Sequence, residues 1–399
     1  MNRSAATAVK VVMLLSNPFN PDDRVRNEAL VLIELGYQVI LLAWDREGKF
    51  PELEMLSGLE IRRMPLRAGY GQGLGKILQY LQVWRWFVKE ITLLQPDVVH
   101  CHDFDTYLAG VWYAWFHRRV KLILDAHENY YMMMKPLVSQ LGTGVVRLLE
   151  RWLTRRADLL ISANKATAEY YKNQGARKAV VVGNWKDPRA YQFDLSVLTK
   201  KYRELGIDGK LVIAYIGALS AERNVLPLIQ AVRSRPWAFL ILGGKGDQEN
   251  EIRSACLQLS NVYFPGYIHP DDIPLITATA DVIYYGFDPD NIYAPYNAPN
   301  KLYEALAAGK PVLAGDIGGE LSSVVNSTQC GILLPKVNRD SIGAAIDSLA
   351  DKSIRAPMEA QSREAGLITY NWAIAKQRLI SAYSSLLSGE RKILQNENG

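Results

Sequence analysis

Cysteine is scarce in this chain of 399 residues: Cys101, Cys256 and Cys330 are odd in number and show no C-x-x-C spacing. They offer neither a disulfide framework nor a zinc ribbon, and a reducing cytosol fits them. No apolar run comes near the roughly 20 residues that a bilayer-spanning helix needs. The opening MNRSAATAVKVVMLLSNP starts basic, but VVMLL is too short for a signal-peptide core and runs into a turn, so it reads as a first strand. The fingerprint G-x-G-x-x-G is missing after that strand, which argues against a dinucleotide cofactor there. No DNA- or RNA-binding module is evident and the net charge is only +5, so nucleic acid is not an expected partner. The positive excess lies in the first 185 residues, which suggests a partner for that half.

What the chain does have is alternation. KVVMLLS, YQVILLAW, PDVVHCHD, KLILDAHE, ADLLISA and KAVVVGN are short apolar runs, each followed by helix-like periodicity. This order means βαβ units and a mostly parallel sheet buried on both faces. The polar, aromatic stretch NWKDPRAYQF (184–193) interrupts it. Periodicity then restarts in KLVIAYIG, WAFLILGGKG, NVYFPG, ADVIYYG, KPVLAGD and GILLP. The expectation is α/β with two Rossmann-like domains, 1–185 and 186–370, facing each other across a cleft where two substrates meet. A helical stretch at about 371–388 and a charged tail close the chain.

The stretch Asn297 to Glu320, NAPNKLYEALAAGKPVLAGDIGGE, reads as a cradle for a nucleoside diphosphate followed by a buried strand. Pro299 suits a first helical turn, with Asn297 or Ala298 as cap. The free amides of Asn300, Lys301 and Leu302 would then face an anion such as a phosphate. Glu304, one turn on, can accept two hydrogen bonds from the vicinal hydroxyls of a ribose. Gly309 closes the helix and Pro311 stops it. The plainer alternative makes Glu304 a solvated helix residue.

Other candidates stand at strand ends, where ligands collect in such sheets. Arg24 either pairs on the surface with Glu28, four residues on, or reaches a substrate anion in the cleft. In HCHDFDT, His100, His102, Asp103 and Asp105 are ligating residue types, but strand alternation separates neighbours and no further ligand group is evident. Asp103 and Asp105 are expected as polar groups at the mouth of the cleft, and no metal is expected. His127, beside Asp125 and Glu128, either serves the reaction or is structural. Arg223 opens a helix after YIG and complements a phosphate, or is an exposed helix residue. Gly217 at the end of YIG and Gly244 in the turn GGKG are counted with the donor-binding residues. In residues 62–91, Lys76, Tyr80, Trp84 and Phe87 fall near helical spacing. They would face an anionic membrane, or the aromatics are core. WYAWFHRR (112–119) and RLLERWLTRR (147–156) add basic and aromatic surface.

DRVRNEALVLIELGYQVILLAW, LDAHE, YIGALSAERNVLPLI, GYIHPDDIPLITATADVIYY and, most specifically, NKLYEALAAGKPVLA resemble family-4 glycosyltransferases of the GT-B fold over nearly the whole chain. The resemblance implies a retaining transfer of a sugar from a nucleotide-diphospho donor to a glycan or lipid-linked acceptor, without an essential metal or other cofactor. The closing helix is expected to pack back on the first domain, and the cysteine usage and the basic N-terminal half lead to the expectation of a cytoplasmic protein, peripheral on the inner face of the membrane. Glu304 matches the carboxylate that binds the donor ribose, and Arg223 takes the place of the basic residue on the diphosphate. His127 matches the histidine near the anomeric centre, and the amides of Asn300 to Leu302 match the phosphate-binding turn. Two positions depart: Tyr296 stands where the first of a glutamate pair is usual, and Ala218 replaces an arginine common after Gly217. A nucleotide-sugar epimerase or phosphorylase of the same architecture, or a nucleotide-sugar-binding module without activity, is the alternative function.

Overall fold

The computed structural model describes residues 8–20, 22–67, 74–127, 129–134, 140–296 and 299–396. The chain splits into two compact units, one of residues 1–182 with 376–399 and the other of residues 183–375.

The first unit is built on eight strands: β1 (Lys10–Leu15), β2 (Gln38–Trp44), β3 (Leu53–Leu56), β4 (Leu59–Met64), β5 (Val98–His102), β6 (Lys121–Ala126), β7 (Leu159–Ser162) and β8 (Ala179–Val181). Their order is β3-β4-β2-β1-β5-β6-β7-β8, parallel throughout except for the β3–β4 hairpin. Burial on both faces explains why β1 and β2 are apolar almost without interruption, while β5 and β6 break the pattern only near their carboxyl ends, at His100, His102 and Asp125, and at Lys121. Asp22 caps the helix Asp23–Glu34 by accepting the Val25 amide.

The second unit carries six parallel strands, β9 (Leu211–Ile216), β10 (Ala238–Gly243), β11 (Val262–Tyr263), β12 (Val282–Tyr285), β13 (Val312–Gly315) and β14 (Gly331–Leu334). Their order is β11-β10-β9-β12-β13-β14. In each sheet the order reverses beside the first strand, between β1 and β5 and between β9 and β12. Such a switch point leaves a crevice at the carboxyl ends of the strands.

Tyr80, Trp84, Trp86 and Phe87 of the 62–91 stretch belong to the core. Helix Leu74–Leu94 buries Phe87 and packs Tyr80 and Trp84 against the first unit's interior, and the Lys76 side chain lies outside the described residues. Helical spacing alone does not say whether an apolar stripe faces inward or outward.

Candidate functional site

In the first unit the ends of β1, β5 and β6 meet in one buried ionic cluster. Asp125, the penultimate residue of β6, is wholly buried. Arg24, on the helix after β1, grips it through Nη2 (2.6 Å) and Nε (3.2 Å), donates Nη1 to the Val182 carbonyl (2.5 Å) and pairs with Glu28 at 3.1 Å. From β5, His102 places Nδ1 3.1 Å from Asp125 and 3.1 Å from His127 Nε2. His100, stacked on His102, bonds the hydroxyl of Tyr383 through Nδ1 at 2.7 Å. The His127 amide donates to Asp103 Oδ1 at 3.0 Å, and its Nδ1 stands 3.6 Å from Asp103 Oδ2. Asp103 starts the helix Asp103–Phe116 in the left-handed region, at φ 63°. Glu128 lies outside the described residues.

The charges follow from this packing. Burial alone would raise Asp125, but Arg24 and His127 hold it well below the usual carboxylate range. Burial alone would lower His127, yet the facing Asp103 and Asp125 carboxylates raise it to about 9, so the ring is an imidazolium at neutral pH. Burial and His100 push His102 down to about 3, so its ring is neutral at neutral pH. Burial and the neighbouring Asp125 raise Glu28 to about 8, so Glu28 is protonated.

A pH dependence follows. Between about pH 7 and 8 the folded unit holds protons on His127 and Glu28 that the unfolded chain has largely released, while Asp103, raised by burial to about 6, and the unfolded His100 and His102, which burial keeps neutral in the folded unit, titrate below that window. Both folded values are raised, so this stability is present at the acid end and lost as pH rises. The slope is at most roughly 2–3 kcal/mol per pH unit for two protons. The unfolding midpoint in urea is expected to fall from pH 7 to 8, and Glu28→Gln to lose about half the slope. A midpoint flat across that range contradicts the two-proton cluster.

Two expectations change here. Arg24 neither pairs on the surface nor extends toward a substrate anion: its side chain is 7% exposed and its guanidinium is held by Asp125, Glu28 and Val182. His100 and His102 do acquire further ligand types, since Glu28 and Asp125 bring donor atoms within 4.8 Å of theirs. The guanidinium of Arg24 already supplies positive charge to the Asp125 carboxylate and lies 3.1 Å from Glu28. Tyr383 was invisible as a partner, because 283 residues separate it from His100.

In the second unit the candidates again collect at the carboxyl end of the sheet. Gly217 follows β9 and Gly244 follows β10, backbone against backbone: the Gly217 amide donates to the Gly243 carbonyl at 2.9 Å. A Cβ on Gly244 would lie 1.8 Å from the Gly217 oxygen, and its φ of 147° already favours glycine. Arg223 ends the short turn Ala221–Arg223, with its guanidinium 4.1 Å from the Phe287 ring centroid and 5.8 Å from that of Tyr285. Asn224 Nδ2 donates to the Gly286 carbonyl (2.9 Å) and the Asp288 amide to the Glu222 carbonyl (2.9 Å), tying the turn to the end of β12. Phe287 gave no signal of this role in the sequence.

The cradle helix runs Asn300–Ala308 with Pro299 at the cap position, one residue later than expected, and Asn297 and Ala298 lie outside the described residues. Gly309 closes it in the left-handed conformation, at φ 66°. The Pro299 carbonyl takes the Leu302 amide at 3.0 Å, so Leu302 does not present a free N–H. The amides of Asn300 and Lys301 have no acceptor among the described residues. Glu304 is not solvated: it is 6% exposed, and Lys301 Nζ holds its Oε2 at 2.7 Å. Tyr296 lies in the short turn Ala294–Tyr296, and the Ala218 carbonyl accepts the Tyr215 hydroxyl at 2.5 Å.

Residues 22–185 match the glycosyl transferase 4-like domain family and residues 199–366 the glycosyl transferases group 1 family. An uncharacterised glycosyltransferase of Methanocaldococcus jannaschii is 24% identical over 376 residues, 88% of this chain and 90% of its own. The glycogen synthase of Mycobacterium tuberculosis is 26% identical over 403 residues, 97% of this chain and 89% of its own. Among solved structures, Anabaena HepE in complex with UDP-glucose superposes with a TM-score of 0.70 at 19% identity, covering 94% of this chain and 99% of that one, a likeness of fold. With both halves matched and the two-sheet architecture in place, the chain belongs to the family-4 glycosyltransferases of the GT-B fold.

Proposed function

We propose that this chain moves a sugar from a nucleoside diphosphate to a glycan or lipid-linked acceptor, with retention of anomeric configuration, in the building of a polysaccharide or glycoconjugate. The observation that carries the donor half is the carboxyl end of the second sheet. There Gly217 abuts Gly244, Arg223 lies on Phe287, and Glu304 is held by Lys301. Breaking the bond between sugar and phosphate builds negative charge on the departing diphosphate, which preorganised cations and amides stabilise. Arg223 and the amides of Asn300 and Lys301 are our assignment for that charge, and Glu304 for the ribose hydroxyls. With those groups the diphosphate needs no divalent ion, and we read the enzyme as metal-independent.

His127 enters through its geometry. An imidazolium opposes the positive charge that develops on the sugar, so we assign that stabilisation to its main-chain carbonyl. Its Nδ1–H, at 3.6 Å from Asp103, is longer than a hydrogen bond and suits a sugar hydroxyl. Retention rests on chemistry: a phosphate oxygen leaving one face of the sugar can take the acceptor's proton on that face, so a hydrolase-like carboxylate pair is not required.

Thermal shift across UDP-, GDP- and ADP-sugars, run in EDTA on wild type and Glu304→Ala, tests the donor assignment. A donor at about 100 times its dissociation constant adds roughly 2.7 kcal/mol to the folded state. One donor is expected to raise the wild-type midpoint and leave the variant unmoved, and the product made with it to keep the donor's anomeric configuration by NMR. An equal shift in the variant removes Glu304 from the site, a shift abolished by EDTA removes the metal-independent reading, and an inverted product removes retention.

A further inference from the structure

One outward-facing apolar surface of the first unit has no part in the chemistry above. On the helix Gln140–Thr154, Val145, Leu148, Leu149 and Trp152 recur at spacings of three and four and are all exposed, Leu148 at 70%. The inward face of that helix is formed by Glu150, Leu153 and Thr154, all buried. The usual pattern of a surface helix, apolar inside and polar outside, is broken on the outside. On the neighbouring helix Asp103–Phe116, Trp112, Trp115 and Phe116 repeat the spacing and are more than half exposed.

These are one patch rather than scattered residues. Trp115 and Trp152 bring their rings to 5.8 Å across the two helices, Trp112 and Phe116 to 5.9 Å along one, and the Arg156 guanidinium lies 5.1 and 5.2 Å from the Trp115 and Trp152 centroids. Single exposed apolar side chains are ordinary on soluble proteins, whereas a contiguous patch marks a contact surface. The charge on it has one sign. Exposed Arg118, Arg119, Arg147, Arg151, Arg155 and Arg156 fringe the aromatics. The acid of these stretches, Glu150, is buried and bonded to the hydroxyls of Tyr170 and Tyr171.

We infer that this face, formed by the outer sides of helices Asp103–Phe116 and Gln140–Thr154, seats the protein on an anionic lipid surface. Tryptophan favours the boundary between headgroups and acyl chains, and arginine reaches the phosphates beside it. Among the described residues no helix is long and apolar enough to cross a membrane, so the helices lie along the surface. A second copy of this chain is a poor occupant, because a two-fold contact through this face sets arginines against arginines. The inference moves the membrane face from residues 62–91, whose Tyr80, Trp84, Trp86 and Phe87 belong to the core, to helices that display their aromatics. It does not rest on the donor assignments.

The test is sedimentation of the full chain with vesicles of phosphatidylcholine alone, or of phosphatidylcholine with phosphatidylglycerol, at low and high salt. Binding is expected to the anionic vesicles and to weaken with salt. Two variants separate the contributions: Leu148→Ser with Trp152→Ser removes apolar contact, and Arg118→Glu with Arg155→Glu reverses charge. Each is expected to lose more than about tenfold in binding. All four side chains are exposed, so an unfolding midpoint near wild type checks that the fold survives. Single Leu148→Glu is the fallback if a double variant fails that check. Absence of wild-type binding at low salt overturns the inference, and so does equal binding by folded variants. Concentration-dependent dimerisation in light scattering, abolished by the same variants, overturns it in favour of a second copy.

Discussion

Asp125→Ala is expected to lower the unfolding midpoint by roughly 10 °C, the largest stability effect of any single change at this site. Asp125 carries the negative charge toward which Arg24, His102 and His127 all point, and it is wholly buried. Without it the Arg24 guanidinium stays buried opposite Glu28, and the imidazolium of His127 keeps only Asp103. Breaking a buried pair by removing one partner costs about 3–5 kcal/mol, because the remaining charge has left water without compensation. Part of the loss is recovered locally: Asp125 is one reason that Glu28 is protonated, so its removal lets Glu28 ionise against Arg24. The double variant Arg24→Met with Asp125→Leu removes both charges, and is expected to be more stable than Asp125→Ala although it carries one more substitution. Thermal unfolding midpoints of the wild type and the two variants decide this. A shift of less than about 2 °C for Asp125→Ala, or a double variant worse than the single one, shows that the cluster is not held by its charges.

The same cluster marks where sequence reading stops. The strands that meet there are legible, because β1 and β6 are largely apolar and β5 opens on Val98 and Val99, each set between helical periods, and buried parallel sheets demand that pattern. That His127 and Asp103 come together is legible as well, since both end a strand beside the switch point. The direction of Arg24 is not, because its partner lies 101 residues away and i,i+4 spacing to Glu28 fits a surface pair as well as a buried one. The hairpin β3–β4 carries half-polar alternation at a sheet edge, which resembles a loop in one dimension. In the cradle, a proline and a closing glycine announce the helix Asn300–Ala308. Only coordinates reveal that the Pro299 carbonyl captures the Leu302 amide and that Lys301 is the partner of Glu304. Residue type and spacing identify the element. Which polar atoms remain free for a ligand depends on contacts distant in sequence.

Arg223→Ala is expected to reduce turnover on the order of 100-fold or more, with little change in stability. The side chain is 22% exposed, and its contact with the Phe287 ring is worth only about 0.5–2 kcal/mol, so the fold has modest dependence on it. The ring matters in another way: it holds the guanidinium from one face, and the carboxylate nearest to it, Glu222, stands 3.8 Å from Nε and is half exposed, so an arriving phosphate competes only with a loose ion pair. A cation that grips the diphosphate equally in ground and transition states would show its loss in KM, with kcat unchanged. The charge on the departing diphosphate grows as the sugar leaves, so the loss is expected in kcat. Arg223→Lys keeps the charge but not the planar fork that spans two phosphate oxygens, and is expected to fall between wild type and alanine. Phe287→Leu leaves the charge and removes the platform, so a smaller fall in kcat, with the arginine still present, is expected from lost preorganisation. Steady-state kinetics with the donor found by thermal shift reads all three. Turnover by Arg223→Ala within about threefold of wild type would take the diphosphate away from Arg223, and with Ala218 on the same loop the charge would then have to come from Lys301 and the amides at the head of its helix.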